Sequence, residues 1–291
     1  VWITYETTVV YDKGAIVGLD HVVVAVRNLD AAEAVWARLG FTLSPRGTHS
    51  AHLGSGNHTI VFGDDYIELL GILTETEHNQ PTVAFLKGRE GIERAAFTTD
   101  DAAAGVTELK ARGLAGGGPL SFSRPVDLPD GTKGEAAFNI FTWPLDEAPG
   151  GLRIFACQHL TRETVWIPEL QRHANGAQRL SRVEIVARSP KEAAAQLSRL
   201  IDQPVEPVGD GFCVASGGRR AVFEFYDAGA FARRYPDAVR QGAATDGAAA
   251  IVIATNDLAK AQALPGAVAH GGAISLPAAS ATGVIVSFVE Q

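Results

Sequence analysis

Apolar and polar positions alternate along this chain in short runs, and each such run is followed by one amphipathic stretch and three further runs. In Gly18–Val26, GLDHVVVAV, the residues Leu19, His21, Val23 and Ala25 share one face, the period-2 signature of a half-buried strand. A helix is predicted next. Asn28–Asp30 supplies the cap, Glu33 stands three residues after Asp30 in capping-box spacing, Val35, Trp36 and Leu39 form the buried stripe, and Gly40 ends it. Three strands are predicted after it, around Phe41–Ser44, His58–Phe62 and Tyr66–Ile72, separated by the glycine-rich GSGN and by GDD. The unit reads βαβββ.

The same order returns from Gly91, with GIERAAFTT as strand, DAAAGVTELKARG as a helix capped at Thr99 or Asp100, and strands near Leu120–Pro125, Glu135–Phe141 and Leu152–Gln158. A third unit opens at Leu180 with LSRVEIVA. Its helix is predicted from Ser189, Pro190 and Glu192 to Ile201, with Ser and Glu in capping-box spacing. FCVAS and AVFEFYD follow. The fourth, from Gly247, is eroded: AAAIVIATND, a short helix broken at Pro265, then AISLPA and GVIVSFVEQ. Four units at a spacing of roughly 70 residues define a repeat. A four-stranded sheet covered by one helix leaves its other face open, so such units pair. The predicted fold class is therefore α+β, four βαβββ units in two paired-module domains: residues 16–160, an ordered connector over 161–178, and a degenerate second pair over 179–291. Val1–Val17 fits no unit and is read as an extra strand or a leader.

Composition narrows the function. Twenty-five Lys and Arg stand against 33 Asp and Glu, a formal net charge of −8; with no basic run, a nucleic-acid partner is not expected. No apolar stretch approaches the roughly 18–20 residues of a membrane span, and the opening lacks the features of a signal peptide. Cys157 and Cys213 are too few and too far apart for a disulfide framework or a zinc motif. Both read as small buried hydrophobes in a reducing, cytoplasmic setting. Met is absent and the chain opens at Val1, so the initiator has been lost or the chain trimmed. No nucleophile-elbow, Walker or dinucleotide fingerprint is present.

GLDHVVVAVRNLDAAEAVWARLGF, the GSGN turn, DDYIELLGI and CQHLTRETVW together resemble the vicinal oxygen chelate superfamily, the group of glyoxalase I, extradiol dioxygenases and bleomycin-resistance proteins. They are most similar to its glyoxalase-like domain branch. The resemblance covers Ile16–Gln178 well and the second pair only in layout. It implies paired glyoxalase-like modules with a divalent metal in the cleft between units, held by the first and last strands of each. Carried over, the first-strand ligand is His21 and the last-strand ligand Glu68, and an imidazole with a carboxylate suits Zn, Ni, Mn or Fe. Alone, either would be an ordinary strand residue; their pairing in the repeat carries the metal reading.

The departures matter as much. The second unit presents Arg94 and Phe155 where ligands belong, which removes two of four; His159 becomes a third ligand only if the chain bends after Cys157. Arg94 requires an anionic partner, either Glu68 or a substrate carboxylate. In the third unit Arg182 takes the His position while Glu224 is kept, and the fourth offers Ser287, so a dioxygenase with its ligands in the second pair is disfavoured. His49, His52, Asn57 and His58 can complete a metal site, contact an anionic substrate or occupy an exposed hairpin. His52, Asn57, His58, Arg94 and Phe155 are thus the substrate-binding candidates, His21, Glu68 and His159 the metal candidates, and Glu68 the catalytic one. His173 and Trp166 are expected to pack the connector onto a domain. Three functions remain: a divalent-metal-dependent lyase or isomerase of glyoxalase type, a non-catalytic small-molecule binding or resistance protein, and an extradiol dioxygenase. Each takes a small-molecule ligand, and pairing within one chain or across a homodimer stays open.

Overall fold

The computed structural model describes residues 14–291, so most of the Val1–Val17 segment, expected as strand or leader, lies outside the described residues. The first unit is β1 (Gly18–Val26), α1 (Leu29–Arg38), β2 (Gly47–Thr48), β3 (Ser55–Val61) and β4 (Tyr66–Ile72). A helix that the apolar pattern did not predict, α2 (Gln80–Gly88), leads into the second unit: β5 (Gly91–Thr98), α3 (Ala102–Ala111), β6 (Gly117–Asp127), β7 (Lys133–Thr142) and β8 (Arg153–His159). These strands form one sheet in the order β2-β3-β4-β1-β5-β8-β7-β6. The first strands of the two units join it antiparallel at β1–β5, and each first strand pairs in parallel with its own unit's last. The sheet curls until its edge strands β2 and β6 touch, which makes a cup.

The plan repeats in β9 (Ala177–Val186), α4 (Pro190–Ile201), β10 (Val205–Val208), β11 (Gly211–Ala215) and β12 (Val222–Tyr226). After the short helices α5 (Ala228–Arg234) and α6 (Asp237–Arg240) come β13 (Gly247–Thr255), α7 (Leu258–Gln262), β14 (Val268–His270), β15 (Ala273–Leu276) and β16 (Ile285–Glu290). The second sheet runs β10-β11-β12-β9-β13-β16-β15-β14, the same order as the first. The α+β architecture of two paired-module domains is thus present in full.

Local chemistry shifts several predicted boundaries. Within the expected Asn28–Asp30 cap it is Asn28 that caps α1, its Oδ1 accepting from Ala31 N at 3.0 Å, so the capping-box spacing of Asp30 and Glu33 is not used. Asp101, rather than Thr99 or Asp100, caps α3 through the amides of Ala103 and Ala104. Ser189 precedes α4 without a side-chain cap, so its capping box is not formed. No strand covers Phe41–Ser44. Phe41 packs against Trp36 and Phe288, and Thr42 N donates to His173 Nδ1, so the start of this segment is held by the connector and the other domain, while Ser44 N donates to Thr59 O of β3 at 2.9 Å.

The convex faces of both sheets, with α1, α3 and α4, share one continuous apolar core that includes Val22, Ile67, Phe97, Phe223, Phe225, Ile251 and Phe288. Phe97 meets Phe223 at 5.5 Å. The domains therefore stand back to back, and their concave faces open in opposite directions. A second apolar cluster lines the first cup: Val61, Tyr66, Ala96, Ala136, Phe138, Cys157, Val165 and Trp166. The last two come from the connector, which closes the cup's lower end.

Candidate metal and ligand site in the first cup

Strand register lays two rows across the cup. Tyr66, His21, Ala96 and Phe155 stand side by side, and Glu68, Val23, Arg94 and Arg153 form the next row. His21 Nε2 therefore comes to 3.6 Å from Glu68 Oε2. The imidazole is clamped from three sides: its ring stacks on Tyr66 at 4.3 Å, Phe155 meets it edge-on at 5.6 Å, and its Nδ1–H donates to Asp20 Oδ2 at 2.7 Å. Glu68 is fixed from the other side, because Asn57 Nδ2 donates to its Oε1 at 2.6 Å. His49, on the chain just after β2, points its Nε2 at the same carboxylate oxygen from 4.0 Å and ties its Nδ1 to Ser55 Oγ at 2.8 Å.

Simple alternation along β1 places Leu19 with His21, but the strand bulges between them. Leu19 goes to the convex core, while Asp20 turns toward His21, Thr98 and His159. A bulge adds one residue without a compositional mark, so Asp20 could not be picked out from the pattern.

The predicted site residues divide accordingly. His21, Glu68, Asn57 and Phe155 are brought together. Arg94 faces the same cup, but its Nε donates to Glu93 Oε2 at 2.8 Å, and Arg153 shares that carboxylate; the partner offered for Arg94, Glu68, is not the one it takes. His159 does reach the cup, yet its Nε2–H donates to Asp20 at 2.9 Å rather than standing on Glu68, so it joins His21 through a shared carboxylate and not through a common ligand position. His58 is directed away: in β3, Asn57, Thr59 and Val61 face inward, and His58 donates from Nδ1 to Ser44 O beside Glu33 of α1. His52 sits on the exposed rim with its ring 5.1 Å from His78. Sequence reasoning passed over Asp20, Glu93, Arg124 and Arg153. The inward alternation of β6 was the one signal that could have found Arg124.

Burial and charge set the protonation states. Burial alone would raise the Asp20 carboxyl, but His159 and His21 outweigh it and hold that group well below the usual carboxylate range. Glu68 behaves alike: burial opposes ionisation, and His21, His49, the Asn57 amide and Arg94 more than compensate, leaving it lowered. Burial pushes His49 down further than Glu68 pulls it up, and Arg124 and Arg94 add to the effect, so its imidazole is neutral at pH 7. Burial lifts the Cys157 thiol well above its ordinary value.

Two donor groups can hold a cation. Asp20, Cys157 and His159 have ligand atoms within 4.8 Å of one another, but the thiol is protonated and both imidazoles already donate to Asp20. His21 and Glu68 are different. With its Nδ1 held by Asp20, His21 directs Nε2 at the Glu68 Oε2 across 3.6 Å, too far for a hydrogen bond. Two ligands about 2.0–2.2 Å from one ion stand about 3–3.6 Å apart, so the gap fits a divalent cation. Asp20 behind His21 completes the carboxylate–histidine arrangement that orients metal-binding imidazoles.

Among the described residues the second cup has no comparable gap between an imidazole and a carboxylate. Arg182 lies 3.2 Å from Glu184 and 3.5 Å from Glu224, Arg234 of α5 lies 2.7 Å from Glu184, and Tyr226 donates to Glu224 at 2.7 Å. Phe231, Tyr235 and Val239 fill the remaining space. Guanidinium groups and the side chains of α5 thus occupy this cup.

The sequence model for a glyoxalase-like domain matches residues 19–201, more than half of the chain. No curated protein matches in sequence. Among solved structures, a hypothetical protein from Staphylococcus aureus is similar at 12% identity over 94% of this chain and 99% of its own, with a TM-score of 0.68. A triple mutant of 4-hydroxymandelate synthase from Streptomyces coelicolor is similar at 12% identity over 94% and 92%, with a TM-score of 0.56. Methylmalonyl-CoA epimerase from Mycobacterium tuberculosis shares 22% identity over 50% of this chain and 90% of its own, at a TM-score of 0.39. The first two likenesses speak for the fold alone. Among the described residues no helix is long and apolar enough to cross a membrane. By its sequence match and its paired βαβββ sheets, the chain belongs to the glyoxalase-like domain family.

Proposed function

We propose that this protein is a divalent-metal-dependent lyase or isomerase of glyoxalase type acting on a small, oxygen-rich substrate in the first cup. The observation that carries the reading is the unresolved confrontation of His21 Nε2 and Glu68 Oε2 at 3.6 Å, each braced from behind by Asp20 and Asn57. A divalent metal bound there supplies Lewis-acid stabilisation of negative charge on adjacent substrate oxygens. The remaining work falls to the chain. Asp20 and Tyr66 hold the His21 ring in one orientation, so Nε2 stays directed at the substrate side. Arg94 and Phe155, half-buried at the mouth, contact the substrate and orient it. Glu68 Oε2, or the neutral His49 Nε2, accepts a proton from a substrate carbon and returns it. Trp166 and the apolar lower wall keep water from that exchange.

Elemental analysis of the purified protein tests the reading. Wild type should retain near-stoichiometric Zn, Ni, Mn or Fe, and His21→Ala and Glu68→Gln should each lose at least about ninety per cent of it, since two firm ligands leave no redundancy. Equal metal in all three proteins overturns it. A second reading, a small-molecule binding protein of the same fold without turnover, is favoured by Arg94 and Phe155 at two of the four ligand positions, a cation and a ring suited to an anionic aromatic compound. Metal-free protein that returns such a compound unchanged would select it.

A further inference from the structure

Arg124 is a buried cation without a counter-charge. On β6 the residues Phe122, Arg124 and Val126 alternate inward, and Ser121, Ser123, Pro125 and Asp127 alternate outward. Arg124 is 8% exposed, and a guanidinium in such a place is ordinarily paired. The cup's other two arginines are, since Arg94 and Arg153 share Glu93. Among the described residues Arg124 has neither an ion pair nor a hydrogen bond.

Beside it lies an unpaired acceptor. Asn57 gives its Nδ2 to Glu68, while its buried Oδ1 has no partner. The two groups meet over bare backbone: a Cβ at Gly47 would fall 2.3 Å from Asn57 Oδ1 and 2.9 Å from Arg124 Nη1. Only glycine lets both side-chain ends pack this closely on the β2 backbone. One uncompensated guanidinium matches a single negative charge, and its planar fork matches a carboxylate. An orphan carbonyl oxygen next to it asks for a donor on the same ligand. Inorganic phosphate, more highly charged and chiefly an acceptor, suits the pair less well.

We infer that Arg124 and Asn57 form the recognition site for a 2-hydroxycarboxylate, the carboxylate lying on the Arg124 guanidinium and the hydroxyl donating to Asn57 Oδ1. This names the substrate class of the proposed enzyme and rests on that reading. Because Asn57 also holds Glu68, the hydroxyl-bearing carbon is presented to the His21–Glu68 pair.

Lactate, propionate and lactamide form a matched set of probes, lacking nothing, the hydroxyl and the charge in turn. They are titrated into chelator-treated protein and followed by ligand-observed NMR. Lactate should bind, propionate and lactamide should each bind about tenfold or more weakly, and Arg124→Gln should weaken lactate at least about tenfold. Arg46→Gln, an exposed arginine paired with Asp30, should bind lactate as wild type does. If Arg124→Gln does not fold by thermal unfolding, Arg124→Lys, which keeps the charge and loses the fork, carries the same comparison. Absence of lactate binding to wild type, or lactate binding that ignores both Arg124 substitutions, overturns the inference. Using metal-free protein keeps the two readings apart: Arg124-dependent lactate binding in a protein that takes no metal removes only the enzyme, and metal uptake with Arg124-independent binding removes only the recognition site.

Discussion

Asp20 serves two imidazoles with one carboxylate, receiving Nδ1–H of His21 at 2.7 Å and Nε2–H of His159 at 2.9 Å, with Thr98 Oγ1 donating as a third partner. This charge, fully buried, is held by hydrogen bonds rather than by solvent, and it holds the His21 ring with Nε2 directed at Glu68. Asp20→Asn keeps the shape but offers one acceptor and two donors, so His21 loses the constraint on its ring. Metal affinity, measured by competition with a chromophoric chelator, should fall about 10–100-fold; a change below about twofold would count against Asp20 as the positioning residue. His21 and Glu68 were singled out in the sequence by the resemblance, which puts ligands on the first and last strands of a unit, and the strand register sets the two side by side. Their supports were not. Asp20 is hidden by a bulge, and Asn57 with His58 differ only in strand parity, which composition does not reveal.

At the scale of elements, the four βαβββ units were readable because each first strand and its helix carry period-2 and period-3.6 patterns long enough to stand out. The pieces that escaped are short. α2 opens on Gln80-Pro81, and α5 and α6 span only seven and four residues, below the length at which periodicity separates helix from loop. Those last two decide which cup is usable. α5 drops Phe231 into the second cup beside Tyr226, Tyr235 and Val239, and its Arg234 caps the Tyr226 ring at 4.3 Å while pairing with Glu184. A plug of this kind contributes packing alone. Phe231→Ala should therefore lower unfolding free energy by about 3 kcal/mol or more in chemical denaturation and leave the metal content of the first cup unchanged. Loss of metal with that substitution would mean that the two cups communicate through the shared core.

Over the whole molecule, the two domains act as one packed body because their convex faces share a core and their loops interlock. Trp36 Nε1 donates to Thr282, Arg220 donates to the carbonyls of Leu19 and Asp64, and Asp65 Oδ1 accepts from Leu180 N at the start of the second sheet. Asp65 is the one costly member of this seam. Burial lifts its carboxyl from the ordinary 3.8 to about 7, and the Leu180 amide with Arg220 and Arg179 offsets only part of that. The folded state consequently holds a proton that the unfolded chain has released between pH 3.8 and about 7, so this group's contribution is fully present below pH 3.8 and is lost as pH rises toward 7. His173 works in the opposite sense: burial lowers its imidazole below 6.5, and its contribution fades as pH falls through that value. Comparing Asp65→Asn with wild type at each pH cancels the His173 effect and isolates the carboxylate. The amide never ionises, so the variant should be more stable than wild type at pH 8 by on the order of 1–2 kcal/mol, and that advantage should vanish at pH 3.5, where Asp65 is protonated in both states. Thermal unfolding at the two pH values measures it. A stability difference that does not change with pH would show that Asp65 meets solvent in the folded protein, and with it that the seam between the domains is open at Leu180.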